Sequence, residues 1–201
     1  SGIGSSAASA AGAVFGINEL LGRPYSRKEL IQFAMKGEEL ASGVGHADNV
    51  SPALLGGFTL VRCNEQVDVI KLPSPSELYA TIIHPKIELR TSDARSVLKK
   101  KIPLSKAIEQ WGNLAALVSG LYTDDYSLIS RSLVDVVIEP ERSPLIPFFN
   151  DLKAAAVNAG ALGSGISGSG PSIYALSRGE ETAQKVCQQM EEVFLPMNID
   201  F

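Results

Sequence analysis

The strongest constraint on this chain comes from two glycine-rich segments, one at residues 2–8 and the other at residues 163–172. The first segment, Gly2-Ile3-Gly4-Ser5-Ser6, precedes a run in which apolar residues recur at roughly helical spacing. Glycine lets the backbone approach a ligand closely, and the amino end of a helix favours phosphate. The GK[ST] pattern of a Walker loop is absent. The residues alone fit either a phosphate-binding loop or an ordinary helix start.

The second segment holds four glycines in the eight residues 163–170 and precedes a predicted strand. Such a loop has unusual freedom of φ. It is either a tight crossover packed against another element or a second glycine loop that supports the first. Under the second interpretation the residues concerned are Gly165, Ser167, Gly168, Ser169 and Gly170.

A cluster of polar residues occupies positions 38–49, at the end of a predicted helix and in the segment after it. It contains Glu38, Glu39, His46, Asp48 and Asn49. A solvated helix face followed by a hydrogen-bonded loop would explain these residues without any ligand. A carboxylate brought near a phosphate loop could instead hold Mg²⁺, which prefers oxygen ligands and takes few of them from protein.

Composition narrows the class of protein. The 201 residues are 45% hydrophobic, enough for one large or two small cores, and the formal net charge is -4. The charge argues weakly against a nucleic-acid partner, and the chain contains no apolar run long enough to span a membrane. Cys63 and Cys187 lack CxxC spacing and are interpreted as buried thiols.

Hydrophobic periodicity and turn residues predict an α+β protein with two layers, in which helices pack on mainly antiparallel sheets. Pro73 and Pro75 mark a boundary between domains at 1–75 and 76–201. Residues 43–49 are predicted as a loop before a short apolar turn, and Leu78 to Ile83 as a central strand. The predicted helices cover residues 5–21, 26–42, 104–121, 126–133, 146–159 and 181–193, and the predicted strands cover 58–63, 67–72, 78–83 and 172–176.

Taken together, the two glycine segments resemble the GHMP kinase superfamily. SGIGSSAAS is similar to most of its central phosphate-loop motif, and GISGSGPSIYAL to its C-terminal glycine motif. Three further stretches resemble the homoserine kinase branch: GHADNVSPALLGGF, TSDARSVL at 91–98, and IEPERSPLIPF at 138–148. The resemblance implies the second half of an S5-like N-terminal domain followed by a ferredoxin-like C-terminal domain. It also implies that the relatives continue before Ser1 and carry a short strand after Phe201.

The resemblance assigns a role to each candidate site residue. Gly2, Ile3, Gly4, Ser5 and Ser6 would wrap the phosphates of ATP, while Ser6 and Glu38 would ligate Mg²⁺. His46, Asp48 and Asn49 would line the place of phosphoryl transfer, with Asn49 facing the acceptor hydroxyl. Thr91, Arg95 and Arg142 would hold the amino-acid substrate, and an arginine suits this task because its fork can bind a carboxylate with two parallel hydrogen bonds.

The implied activity is transfer of the ATP γ-phosphoryl group to the hydroxyl of L-homoserine, a step toward threonine, in a cytoplasmic enzyme that relatives suggest is a homodimer. The transfer needs mainly positioning and charge neutralisation. Because Asn49 is a poor proton acceptor, a magnesium-driven transfer without a general base is the leading hypothesis. The alternatives are another GHMP kinase, acting on mevalonate or a sugar, and a catalytically silent GHMP-fold binding protein.

Overall fold

The computed structural model describes residues 2–197 and 200–201, and these form two units. One unit is Gly4–Ser74, and the other is Pro75–Phe201 together with Gly2 and Ile3. Ser1, Asn198 and Ile199, which the predicted domain ranges include, lie outside the described residues.

The unit Gly4–Ser74 is a helical cluster followed by a β-hairpin. Its core is formed by small and branched residues, with Ala7, Ala34 and Val50 fully or almost fully buried. In chain order its elements are α1 (Ser5–Leu20), α2 (Arg27–Ser42), α3 (Ala47–Leu55), β1 (Phe58–Cys63) and β2 (Asp68–Leu72).

The start of α2 and the hairpin confirm the predictions made from local signals. Ser26 and Glu29 form a reciprocal capping box, since the backbone N–H of Glu29 donates to Ser26 Oγ and that of Ser26 to Glu29 Oε2. β1 and β2 pair antiparallel, with Phe58 opposite Leu72.

The segment 43–55 differs from its prediction as a loop and short turn, because residues 47–55 form α3. Asp and Asn are frequent in loops, but they are also favoured in the first turn of a helix, where the positive end of the dipole lies. Val50 and Leu54, four residues apart, are buried on one face of α3. Asp48 and Asn49 therefore project from the first turn of a helix.

The unit Pro75–Phe201 packs helices against a three-stranded antiparallel sheet in the order β3-β5-β4. The last strand in sequence, β5, is thus the central one, and the prediction of a central position for Leu78–Ile83 was wrong for the described residues. The strands are β3 (Leu78–Ile83), β4 (Gly163–Ile166) and β5 (Ile173–Arg178). The helices are α4 (Thr91–Ser96), α5 (Leu104–Thr123), α6 (Tyr126–Ser132), α7 (Glu139–Arg142), α8 (Phe149–Asn158) and α9 (Glu180–Phe194), with 3₁₀ turns at Ser143–Leu145 and Leu195–Met197.

Strand β4 occupies the beginning of the segment that the sequence predicts as a glycine loop. A Cβ atom added at Gly163 would lie 2.6 Å from Leu133 Cβ, and one at Gly165 would lie 3.1 Å from the hydroxyl of Tyr174. Glycine in a strand often marks such a close approach. The loop proper is therefore confined to the residues between β4 and β5.

Helix α5 carries the predicted apolar stripe, but much of it faces outward in the described part of the chain. Ile108 and Trp111 are 57% and 60% exposed, whereas Leu121, near the end of the helix, is buried. The core of this unit instead lies between the sheet and helices α8 and α9, around Leu152, Ile173 and Met190. Among the described residues, no helix is long and apolar enough to cross a membrane.

Candidate functional site

Helices α1 and α2 can approach each other closely because small residues line their contact. Ala7 and Ala11 of α1 are almost fully buried, and a Cβ atom added at Gly37 of α2 would lie only 3.0 Å from Ala10 Cβ. A short side chain on α1 can then reach a side chain on α2. The alanines after the first glycine segment thus determine which polar groups meet.

Ser6 and Glu38 meet across this contact. Ser6 Oγ donates to Glu38 Oε1 at 3.0 Å, and Glu38 is only 9% exposed although it is charged. A hydroxyl and a carboxylate form a hard oxygen donor pair of the kind that fits Mg²⁺, which completes its shell with water and substrate phosphates. Within residues 2–197 and 200–201, no group of three or more His, Cys, Asp or Glu side chains could hold a metal ion. Ser6 and Glu38 therefore fit a metal ion whose other coordination positions are filled by a bound ligand and water.

The amino end of α1 has the features of an anion-binding helix start. Gly4 precedes the helix with φ +70° and, as a glycine, supplies no side-chain cap to the amides of the first turn. A Cβ atom added at Gly4 would lie 3.3 Å from Asn49 Oδ1, so the side chain of Asn49 lies against the backbone of Gly4. The structure therefore brings Asn49 to Gly4 of the first glycine segment. Ser5 is exposed beside it.

Asn64 fixes the start of α3, a role that the sequence analysis missed. Its Nδ2 donates to the carbonyl of Gly45 at 2.9 Å, and its Oδ1 accepts from the backbone N–H of Ala47 at 2.8 Å. Both bonds hold the turn that contains His46 and that leads into the helix. No spacing rule connects an asparagine in a hairpin turn with a helix start upstream of it, so only the tertiary structure shows this contact.

The remaining members of this cluster lie around the first turn of α3. Asp48 is exposed, and its Oδ1 accepts the backbone N–H of Asn49 at 2.9 Å. His46, immediately before the helix, is half-buried. One carboxylate oxygen of Asp48 thus serves the local backbone. Glu39, the other carboxylate of the predicted cluster, instead pairs with Lys36 at 3.1 Å on the surface.

In the other unit, Gly2 lies against the loop between β4 and β5. Gly2 has φ +81°, and a Cβ atom there would lie 2.8 Å from the carbonyl oxygen of Ser167 and 3.0 Å from that of Gly170. Ser167 Oγ donates to the carbonyl of Gly2 at 2.6 Å. The two glycine segments are therefore in direct contact at this residue, through backbone atoms that leave no room for a side chain. Ile3, the next residue, is exposed.

The loop after β4 is closed by its own hydrogen bonds. The backbone N–H of Ser167 donates to the carbonyl of Ser172 at 2.8 Å, and that of Gly170 donates to the carbonyl of Ser167 at 3.0 Å. Ser172 Oγ lies 2.7 Å from Nδ1 of His84, at the end of β3. Ser169 is half-buried between these turns. The loop that contacts Gly2 is thus fixed on both sides.

Arg142 uses its guanidinium group in a way that the sequence does not indicate. Its Nε–H donates to the carbonyl of Ala94 in α4 at 3.0 Å, and its Nη1 donates to the carbonyl of Gly168 at 2.9 Å. Two of its five N–H donors are committed to main-chain oxygens. Arg142 therefore connects α4 to the loop that contacts Gly2.

Thr91 and Arg95, the other predicted substrate residues, are exposed on α4. Burial and the neighbouring charge of Arg95 lower the pKa of Arg142, and Asp135 opposes this shift. Two guanidinium groups close enough to influence each other would be stabilised by an anion placed between them. A carboxylate suits this position because it matches the arginine fork.

Family models match the two ends of this chain. The N-terminal domain of GHMP kinases matches residues 1–57, and the region described as GHMP kinases C terminal matches residues 106–195. These ranges include Gly2 to Ser6, Glu38 and Asn49 on one side, and Arg142 and the loop after β4 on the other.

Curated relatives and solved structures give the same result. The chain is 56% identical over 195 residues to a homoserine kinase of Chlorobium phaeobacteroides, which covers 97% of this chain and 61% of the relative. It is 39% identical over 200 residues to a homoserine kinase of Haloarcula marismortui, covering 100% of this chain and 67% of the relative. The crystal structure of homoserine kinase from Cytophaga hutchinsonii matches with a TM-score of 0.97 at 57% identity, covering 100% of this chain and 64% of that one.

The chain thus spans about three fifths of the length of the first of these relatives, the homoserine kinase of Chlorobium phaeobacteroides. The match to the Cytophaga hutchinsonii homoserine kinase structure covers 100% of this chain and therefore includes both glycine segments and every candidate site residue. The chain therefore belongs to the GHMP kinase family.

Proposed function

We propose that the full-length protein that contains this chain transfers the γ-phosphoryl group of ATP to the hydroxyl of L-homoserine and releases O-phospho-L-homoserine. The observation that carries this proposal is the hydrogen bond from Arg142 to the carbonyl of Ala94, which brings a second guanidinium group to α4, the helix that carries Arg95. A pair of positive charges suits an acceptor that carries a carboxylate, as homoserine does. Galactose has no carboxylate. Mevalonate has one, but the relatives that match this chain at 56% and 57% identity bear the name homoserine kinase.

ATP would be bound through its phosphates by Gly2, Ile3, Gly4, Ser5 and Ser6. Ser6 and Glu38 would hold Mg²⁺, which when bound neutralises charge on the transferred phosphoryl group. Glycine backbone amides and the free amide end of α1 supply donors without bulk. We also propose that the boundary between the two GHMP domains of this chain lies near residue 75.

Transfer would proceed without a general base. Asn49, whose side chain lies against Gly4, would position the acceptor hydroxyl, and His46 and Asp48 would shape the surroundings. One oxygen of Asp48 already accepts the N–H of Asn49, a bond that orients the residue beside it. A loose transition state places little negative charge on the attacking oxygen, so positioning can supply most of the acceleration.

The same proposal covers the setting of the reaction. We propose that this phosphorylation is a step of threonine biosynthesis in the cytoplasm. We also propose that the full-length protein acts as a homodimer on small molecules, without nucleic acid or a membrane.

The acceptor is tested with the full-length protein in an ADP-release assay containing ATP and Mg²⁺. L-Homoserine, mevalonate and galactose are offered as rival acceptors. We expect kcat/KM for homoserine to exceed both others by at least about a hundredfold, because polar groups of the site that are left without partners penalise the wrong acceptor. A higher kcat/KM for mevalonate or galactose would refute the proposed substrate, and ADP release that no acceptor stimulates would refute the kinase assignment.

The metal site is tested by Glu38→Gln, with Glu39→Gln as its matched control. Glu38→Gln removes a buried carboxylate beside Ser6 and should lower kcat by about a hundredfold, the usual effect of losing one electrostatic partner of the transition state. It should also raise the Mg²⁺ concentration needed for half-maximal binding of an ATP analogue. Glu39→Gln removes only a surface pair with Lys36 and should change both quantities by less than about twofold. Equal effects of the two substitutions would exclude Glu38 from the metal site.

The absence of a general base is tested by Asp48→Asn. The amide oxygen of the new asparagine can still accept the N–H of residue 49, so geometry is retained. We expect kcat to fall by less than about tenfold, with the acidic limb of the pH–rate profile unchanged, since general bases contribute about a hundredfold or more. Loss of that acidic limb would identify Asp48 as the base. Asn49→Asp is the complementary variant, and a faster reaction in it would also contradict positioning without proton abstraction.

A further inference from the structure

Arg142 joins two parts of the unit Pro75–Phe201 that the proposed function assigns to different ligands. Its Nε–H bonds the carbonyl of Ala94, which lies in α4 between Thr91 and Arg95. Its Nη1 bonds the carbonyl of Gly168, in the loop that contacts Gly2. Thr91 and Arg95 are assigned to homoserine, and Gly2 to the phosphates of ATP.

The contacts beyond Gly168 are short and consist largely of backbone. Gly168 lies against Gly2, since a Cβ atom added at Gly168 would be 3.5 Å from the carbonyl oxygen of Gly2. Ser167, its neighbour, donates to that same oxygen at 2.6 Å. A displacement of the loop would therefore be transmitted to Gly2, because Gly2 has no free space on this side.

A role in binding a substrate carboxylate does not by itself explain the bonds from Arg142 to two carbonyls. A positive charge alone would satisfy a substrate carboxylate, whereas Arg142 donates to two carbonyls of different elements from two separate nitrogens, Nε and Nη1, that the planar guanidinium holds in a fixed arrangement. Charged groups form hydrogen bonds that are stronger than neutral ones, so each carbonyl is held firmly.

We propose that Arg142 is a positioning residue that couples the two substrates, so that homoserine bound near α4 strengthens the binding of ATP through Gly168, Ser167 and Gly2. This inference rests on the proposed function for the identity of the acceptor. It goes beyond that function because it assigns to Arg142 an effect on the nucleotide, which the interpretation as a carboxylate ligand does not contain.

The coupling is tested by titration calorimetry on the full-length protein. The measured quantity is the affinity for a non-hydrolysable ATP analogue with Mg²⁺, with and without L-homoserine. We expect homoserine to lower the Kd of the analogue in the wild type. Arg142→Lys keeps the charge but places every donor on one nitrogen, so we expect it to lose one of the two carbonyl bonds. The Kd without homoserine should then rise about tenfold, the effect of one hydrogen bond to a charged group. The remaining effect of homoserine should disappear.

Arg95→Lys is the matched control on α4. Arg95 is exposed, and the proposal gives it no part in the contacts that lead to Gly2. We expect it to raise the KM for homoserine and to change the Kd of the analogue without homoserine by less than about twofold. Thermal unfolding of each variant identifies a folding defect, and an Arg142→Lys protein that melts early is replaced by Arg142→Gln.

A double-mutant cycle with Ser167→Ala tests the path. Ser167→Ala removes the bond to Gly2, so Arg142→Lys should have a smaller effect on analogue affinity in that background than in the wild type. Three outcomes would each overturn the coupling. The effects of the two substitutions on the Kd could simply multiply, the Kd could be unchanged in Arg142→Lys, or homoserine could have no effect on the Kd of the wild type. A wrong acceptor assignment would be detected separately, in the acceptor assay. The titration without homoserine depends only on the ATP analogue, so it tests the contacts of Arg142 independently of the acceptor.

Discussion

The contact between Gly2 and the loop after β4 is the constraint on which the interpretation of this structure depends. Backbone meets backbone there, with carbonyl oxygens of Ser167 and Gly170 in the space that a side chain on Gly2 would need. The positive φ of Gly2 would strain any other residue in addition. Only glycine satisfies both conditions. Two segments far apart in sequence are thus held in contact. Arg142 connects them to α4, because it also bonds the carbonyl of Gly168.

A different constraint operates in the unit Gly4–Ser74, where small side chains bring polar groups together. Ala10 opposite Gly37 lets α1 and α2 approach, and the short hydroxyl of Ser6 then reaches Glu38. The carboxylate is nearly buried, which is costly unless it is compensated by a hydrogen bond and by a cation. Gly4 likewise leaves room for the side chain of Asn49 to lie against the backbone. In both units, residues without bulk allow the close contacts on which the candidate site depends.

Sequence reasoning succeeded where the signal was local. The capping box of Ser26 and Glu29 and the hairpin of β1 and β2 depend on neighbours in the chain, and both were predicted with nearly correct ends. It failed where a distant contact decided the outcome. Helix α3 was read as a loop because its Asp and Asn also suit turns, whereas Asn64 and the burial of Val50 stabilise the helix. The central position of β5 depends on its pairing with the distant strand β3 on the side opposite to β4, which no periodicity shows.

The candidate site divides in the same way. The motif resemblance named Ser6, Glu38, Asn49 and Arg142, but it could not show that Arg142 spends two donors on main-chain carbonyls. Nor could the residue types show that much of the apolar stripe of α5 faces outward, because a covered stripe and an exposed stripe have the same sequence pattern.

The central claim, that the loop after β4 holds Gly2 in a conformation that binds nucleotide, is tested most directly by the affinity of Gly2→Ala for a Mg²⁺-bound ATP analogue in the full-length protein. Gly12→Ala, at a helical glycine with open space around it, is the control. The account predicts that Gly2→Ala weakens binding by about tenfold or more, because a left-handed conformation costs alanine about 1–2 kcal/mol and the clash with two carbonyls is added to it. Gly12→Ala should bind like the wild type. Wild-type affinity in a folded Gly2→Ala protein would contradict the account.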